Sequence, residues 1–498
     1  MGLLLVLILS GLFGYWAVSR HVDRSDAKSF WLLWLVLMAP PLFTIGSVLL
    51  TKQPTAPIWT ILVWVISFVL YGRIIHKLPV TSQPAPPPAE LVDTNIPSLA
   101  PATIPASLKP INAAEEELLR KCFPWSTYFL EKIEYRAQAV VCRGKLRSDA
   151  GQAYQTIKSN ISEHFGDRFF VIFQAGLNEQ PFFALVPNTL GTIAQQRPVL
   201  LNYLMALASL VLALVTTSQF GALLSGVTFA QMRSNGALAI QGWPYALTIL
   251  AILGVKDISR YLISRFYQIM TGLFYFVPLP FFPGTCGTFM QMRSPIPHRR
   301  ALFDLGFFSS MLSLLVAIPL CWWGLQHSTV VSLSAKSGML NFASFDPRFS
   351  LLLTGISKLA LGKDFGIDTA INLHPVAIAA YLGLLIIAIN LLPFKRFDGG
   401  YVVHAMFGLR GSIIIGQITK ILVMILVFIQ YRLSNTDDYS LLALFAVFLI
   451  FFPTIGDPTL NDVAELDNRR DLWGMLLLAI AVAIFLPARG LISNFLRV

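Results

Sequence analysis

The stretch "AINLLPFKRFDGG", Ala388–Gly400, closes a strongly apolar run that extends from Pro375 to Pro393. Two cations, Lys395 and Arg396, precede Asp398, and a glycine pair, Gly399 and Gly400, follows it. A carboxylate at the mouth of a membrane segment is costly and calls for a partner. The composition around it says that the run is a membrane segment. Of 498 residues, 55% are hydrophobic and 13% charged, about half the charged share of a soluble domain. Mean hydropathy is +0.66, and most of the chain reads as spans of about 20 apolar residues. The formal net charge of +11 does not indicate a nucleic-acid partner, because the cations lie at the ends of apolar spans rather than in one basic stripe. Such Lys and Arg orient a chain in the bilayer and favour anionic lipid surfaces.

Around this stretch, spans are predicted near 198–217, 244–264, 301–323, 373–393, 412–431, 439–453 and 471–487, forming a membrane domain over 191–498. The segment "YQIMTGLFYFVPLPFFPGTCGTFMQ" (267–291) is apolar but broken by three prolines and three glycines. That pattern suits a re-entrant hairpin or a loop buried in protein better than a clean span. The long loop 324–372 is expected to hold a short helix at 346–360. Three earlier spans, at 2–19, 30–50 and 57–75, make an N-terminal membrane region over 1–77. The first lacks a cationic leader and is followed directly by more spans, so it reads as a retained helix rather than a signal peptide. Cations in "SRHVDRSDAK", "GRIIHK", "RYLISR", "RSPIPHRR" and "FKRFDGG" fall on one, cytoplasmic-type, side.

Residues 78–110 form a proline-rich linker, extended and unable to pack a core. A small soluble α+β domain is expected over 111–190. "NAAEEELLRKCF" has helical spacing and "EYRAQAVVCRGKL" strand character. "DAGQAYQTIKSNISEHFG" reads as a helix with Asp149 at its N-cap and Gly166 past its end. "RFFVIFQAG" and "QPFFALVP" read as a hairpin around "LNE". Cys122, Cys142, Cys286 and Cys321 are scattered, with no C-x-x-C pair, and suggest neither a disulfide framework nor a cysteine zinc site.

A second charged cluster lies in an apolar setting, "ILGVKDISRYLISRFY". Lys256 and Arg260 are four apart and share a helix face, and Asp257 sits three before Arg260. The bland reading is a helix end with cations reaching the interface. Lys256 and Asp257 lie deeper, however, and intramembrane charges tend to face inward and to be functional.

At these residues a resemblance becomes specific. "NLLPFKRFDGG" resembles the second motif, N-x-x-P-x-x-x-x-D-G, of site-2-protease-type intramembrane metalloproteases, with Asn390, Pro393, Asp398 and Gly399 at its fixed positions. Phe276–Gly306 resembles the segment between that family's two motifs. The likeness is to the chloroplast and cyanobacterial branch, the ethylene-dependent gravitropism-deficient and yellow-green type, and covers roughly 111–455. "CRGKLR" stands where that branch carries a G-N-L-R element, with Lys145 in place of the asparagine. The family's first motif, H-E-x-x-H on a helix, falls on "GVKDISRYL". Lys256 replaces the first histidine, Asp257 the glutamate and Arg260 the second histidine.

That replacement removes the chemistry the resemblance implies. Zinc needs neutral imidazole or anionic ligands and an open position for water; Lys and Arg, protonated below about pH 10 and 12, repel it. His298, His374 and His404 are the other candidates near the membrane block, and no H-x-x-x-H spacing exists in the chain. His404 is expected to be a satisfied packing histidine. Taking away one Zn²⁺ subtracts two positive charges, and Lys256 plus Arg260 restore two. Asp398 is therefore expected to pair with these cations, or else with Lys395 and Arg396 on its own loop.

The expected fold is a polytopic α-helical membrane protein with a site-2-protease-like core and a small soluble α+β domain. Its expected role is non-catalytic, binding or regulating membrane-protein segments as a scaffold or chaperone-like protein, with lipid bilayer and transmembrane segments as partners. No cofactor is expected. The first alternative is an active intramembrane zinc metalloprotease with unusual ligands, Asp398 being the one matching zinc ligand. The second is a transporter, which would need internal repeats and a polar pathway. The resemblance implies a thylakoid or plasma membrane of a photosynthetic organism.

Overall fold

A computed structural model describes residues 111–488 apart from 137–138, 177–179, 189–198, 280–282, 335–336, 434–455 and 457, with scattered positions between 30 and 70. The expected spans at 2–19 and 57–75, most of 30–50, the linker 78–110 and the span at 439–453 lie outside the described residues. The chain divides into two compact units, Met1–Pro87 with Val427–Phe448, and Pro88–Leu426 with Leu449–Val498. In the first, residues 30–36 are helical, and Trp31 meets Phe30 and Trp34 edge-on at 5.8 and 5.5 Å.

The second unit opens with an α+β layer. Helix α1 (Ala113–Lys121) starts with a capping box between Asn112 and Glu115. Strands β1 (Tyr128–Arg136) and β2 (Ala139–Leu146), then helix α2 (Ala150–Phe165) and strands β3 (Phe169–Ala175) and β4 (Pro181–Pro187) follow. The sheet is antiparallel in the order β1-β2-β4-β3. Asp149 caps α2 by accepting from the Gly151 and Gln152 amides at 2.9 and 3.1 Å, and Gly166 ends it at φ 58°. The sequence pattern located α2 and the β3–β4 pair but missed β1, whose "YFLEKIEYR" interleaves charges with a bulge between Leu130 and Lys132. Phe173 and Phe183 stack at 4.1 Å in the core of this layer.

The apolar part begins with α3 (Val199–Leu224). The short α4 (Phe229–Ser234) and a 3-10 turn (Gly236–Gly242) lead into α5 (Trp243–Phe266). Then come strands β5 (Thr271–Pro278) and β6 (Thr285–Met292), and α6 (Arg299–Gln326). Strand β7 (Thr329–Ser332), α7 (Leu351–Leu361) and β8 (Thr369–Asn372) precede α8 (Pro375–Asn390), α9 (Asp398–Leu433) and α10 (Asn468–Phe485). Four helical stretches, Asn202–Leu224, Gly236–Phe266, Arg299–Gln326 and Asp398–Ile425, are long and apolar enough to cross a membrane. Helices α5, α6 and α8 pack together, with Ile252, Leu253, Leu314, Ala317, Ala380 and Leu384 among the buried side chains between them.

The broken segment 267–291, expected to be a hairpin or buried loop rather than a clean span, holds a β-hairpin, β5 antiparallel to β6, whose backbone pairs with itself. One sequence expectation needs correction. The helix expected at 412–431 is only the second half of α9. The first half starts at Asp398 itself, and the two halves meet at a kink where Gly408 takes φ 73°.

A strap over 460–462 joins the α+β layer to the helices. On one side, the Phe173 amide donates to the Leu460 carbonyl at 2.7 Å and the Asp462 amide to the Phe173 carbonyl at 2.9 Å. On the other, the Leu460 and Asn461 amides donate to the carbonyls of Ile296 and Pro297 at 2.8 and 3.0 Å, just ahead of α6.

Candidate functional site: a buried ion cluster

Asp398 is the first residue of α9 and is fully buried. Its neighbourhood depends on two glycines. At Gly399 a Cβ would lie 1.8 Å from the Leu391 carbonyl, so the start of α9 can press against the end of α8 only without a side chain there. At Gly306 on α6 a Cβ would lie 2.6 Å from the Asp398 carbonyl. Between α8 and α9, Pro393 is buried in the turn, and Arg396 adopts φ 68°, a conformation that costs a non-glycine residue about 1 kcal/mol or more. Asn390 donates from its side-chain amide to the Ile386 carbonyl at 2.8 Å, closing the last turn of α8.

The partners of Asp398 come from across the helices. The Arg260 guanidinium on α5 donates directly to one carboxylate oxygen. The other oxygen accepts from Ser310 Oγ on α6 at 3.0 Å and faces Lys256 Nζ at 3.7 Å. Asp257 lies 3.7 Å from Arg260, is fully buried, and neither of its oxygens meets a hydrogen-bond donor among the described residues. Lys256, Asp257, Arg260 and Asp398 thus stand together as two cations and two anions inside the apolar core, while Asn390, Pro393 and Gly399 shape the turn that delivers Asp398. Pairing is what makes such burial tolerable, since an isolated buried charge costs several kcal/mol.

Ser310 was not visible as a site residue from the sequence. The signal was "SSMLS", which puts Ser309, Ser310 and Ser313 on one side of an apolar helix, all buried. Ser309 and Ser313 bond back to the Gly306 and Ser309 carbonyls, the common habit of serine in such helices; Ser313 also reaches the Ile252 carbonyl on α5 at 3.3 Å, and Ser310 reaches the Asp398 carboxylate.

A second buried polar group lies beyond the first. His404, 3% exposed, contacts Asp462 Oδ1 through Nε2 at 2.9 Å, and Thr459 and Arg299 reach the same oxygen at 3.2 and 3.4 Å. Burial pushes the Asp462 carboxyl up, but the His404 and Arg299 contacts prevail and hold it below the usual carboxylate range. A third group joins Asp304 to Tyr267 at 2.5 Å and to Arg470 at 3.0 and 3.1 Å. His298 and His374 cap α6 and α8, accepting through Nδ1 from the Ala301 and Val376 amides at 3.1 and 3.3 Å.

These residues do not fit a zinc ion. Ligands must be neutral or anionic and need free lone pairs, whereas the Asp398 oxygens are engaged by a guanidinium, a hydroxyl and an ammonium. No group of three or more His, Cys, Asp and Glu stands together among the described residues.

Comparison with known proteins places the chain beside metalloproteases nonetheless. Residues 117–193 match the family model described as the EGY3 middle domain. The chain is 26% identical over 377 residues to the probable zinc metalloprotease EGY2, chloroplastic, of Arabidopsis thaliana; the match covers 74% of this chain and 64% of that relative. It is 24% identical over 408 residues to the EGY2 protein of Oryza sativa subsp. indica, covering 80% of this chain and 71% of the relative. It is 22% identical over 393 residues to the probable zinc metallopeptidase EGY3, chloroplastic, of Arabidopsis thaliana, covering 75% and 65%. The chain therefore spans somewhat less than two thirds of the length of several of these relatives. No solved structure matches. Its homologues are EGY zinc metalloproteases of the site-2 protease family. With four helices long and apolar enough to cross a bilayer, the chain is a multi-pass integral membrane protein.

Proposed function

We propose that this chain is a non-catalytic protein on a site-2-protease-like framework, which binds or regulates transmembrane segments of other proteins in a thylakoid or plasma membrane, as a scaffold or chaperone-like factor. One observation carries the reading: Asp398 is held by Arg260, Lys256 and Ser310. A hydrolytic site needs a metal-bound water and a general base. Here the two positive charges of a zinc ion are replaced by Lys256 and Arg260, and Asp257 stands 3.7 Å from the Arg260 guanidinium. The cluster joins α5, α6 and α9 as a metal centre would, so the framework keeps its shape without the ion. The α+β layer over 111–188 is proposed to lie outside the bilayer, on the side of Asp398.

The relatives' names favour a second reading, an active zinc metalloprotease with unusual ligands. Metal analysis of the purified full chain separates the two. The proposed function expects no stoichiometric zinc, and one tightly held zinc per chain overturns it. Crosslinking pull-down from native membranes then tests the binding role. Wild type is expected to capture membrane proteins that a Lys256→Leu/Arg260→Leu variant, expressed to the same level, captures less well.

A further inference from the structure

The far end of α6 holds a pair of histidines that the ion cluster does not use. His327 is the residue after α6, and His374 is the one before α8. Their rings lie 6.1 Å apart between centroids, and Trp323 stacks on His327 at 4.1 Å while meeting His374 edge-on at 5.8 Å. From Gly306, which touches Asp398, to His327 is roughly 30 Å along the helix at ~1.5 Å per residue, so the pair lies at the opposite end of the bundle from the cluster.

The hydrogen bonds distinguish the two rings. His327 Nδ1–H donates to the Trp323 carbonyl at 2.8 Å, a bond that survives a second proton on the ring. His374 Nδ1 instead accepts from the Val376 amide, which requires a lone pair on that nitrogen and therefore a neutral ring. His327 sits at the carbonyl end of α6, against the face of Trp323. A charged His374 would lose its cap and stand against the amide end of α8. The backbone is tied at the same place. The His374 amide donates to Ser328 Oγ at 2.9 Å, and Ser328 donates to the Gly324 carbonyl at 2.8 Å. Next to it Thr329 pairs with Asn372, the first rung of the β7–β8 ladder. A Cβ on Gly324 would lie 2.5 Å from the Ala377 nitrogen, so α6 and α8 touch backbone to backbone here. Among the described residues, the ionisable group recorded beside His374 is His327 on α6; its other recorded side-chain contacts are Trp323 and Ser328, which do not titrate in this range.

We propose that His327 and His374 form a proton-sensitive latch that holds the ends of α6 and α8, and the β7–β8 ladder between them, together while His374 is neutral and loosens them in acid. The proton that charges both rings removes the α8 cap and sets two positive charges side by side. The segment between the helices, residues 328–373, then opens at its root.

Hydrogen exchange of the full chain in detergent or nanodiscs, measured from pH 7.5 to 5 and corrected for intrinsic exchange, tests this. Protection of residues 329–332 and 369–376 should fall with acidification, by up to about tenfold per pH unit for a one-proton-linked opening, while the amides of α5 hold. His374→Asn keeps a capping side chain without a titrating ring and should remove the pH dependence. His327→Gln lifts the repulsion and should move the midpoint of the opening to higher pH. Flat protection in wild type, or an unchanged pH profile in His374→Asn, overturns the latch.

Discussion

Arg260 on α5 and Asp398 at the start of α9, 138 residues apart in sequence, form a direct and deeply buried ion pair. Lys256 and Ser310 complete the shell around the same carboxylate. Removing the carboxylate strands two cations in the core. Asp398→Ala is expected to cost about 3–5 kcal/mol, seen as a large fall in thermal unfolding temperature in detergent. An Asp398→Ala protein that melts like wild type would mean that the cluster does not hold the helices together.

The same position should accept a metal once the cations are gone. Lys256→His, Asp257→Glu and Arg260→His together place two imidazoles four residues apart on α5, facing Asp398. The triple variant is expected to bind one zinc per chain, measured by elemental analysis after dialysis, and wild type is expected to bind none. Zinc-free triple variant of native-like stability would mean that the α5 positions do not converge on Asp398 as metal ligands.

Close approach of α6 to α9 rests on Gly306. Gly306→Ala pushes a methyl group into the Asp398 carbonyl and toward Tyr401, and is expected to destabilise by about 1–3 kcal/mol. Gly355 on α7 provides the contrast, since a Cβ there meets nothing within 4 Å. Gly355→Ala should be neutral or stabilise by about 0.5–1 kcal/mol. Melting curves of both variants in one detergent check the difference, and equal losses would argue against a specific helix contact at Gly306.

Acid should weaken the Asp462 group. Its carboxyl is held below the ordinary value of about 3.9 by His404 and Arg299 despite burial. A depressed carboxyl contributes stability above its unfolded value and loses it as pH falls through the folded one. Wild type should therefore exceed Asp462→Asn in stability at pH 5–7, and the margin should begin to narrow below about pH 4. Chemical unfolding of both proteins across that range measures it; a margin that does not narrow on acidification would contradict the assignment.

Much of the cluster is legible in the sequence, because Lys256, Asp257, Arg260 and Asp398 are charges in apolar surroundings and charge stands out there. The start of α9 was not. Gly399 and Gly400 have poor helix propensity and read as a break, yet contacts with the Leu391 and Phe394 carbonyls require glycine at both positions and outweigh that propensity. Ser310 was hidden because serine in an apolar helix commonly bonds to its own backbone. A hairpin over 267–291 was legible from its prolines and glycines, but its β pairing was not, because the apolar run in β5 erases the alternation that marks a strand. His404 and Asp462 lie 58 residues apart, and no local pattern announces such a pair.

The strap at Leu460–Asp462 sets a clock on synthesis. Strand β3 is the edge of its sheet, and the bonds that cover Phe173 come from a part of the chain made roughly 270 residues after β4 is complete. At ~5–20 residues per second, that edge waits about 15–55 s for its partner. An uncovered edge strand is a template for pairing with other chains. A nascent chain stalled between β4 and residue 460 carries an open sheet edge for as long as the stall lasts, so ribosome pauses in the membrane domain should register as aggregation of the α+β layer that precedes it.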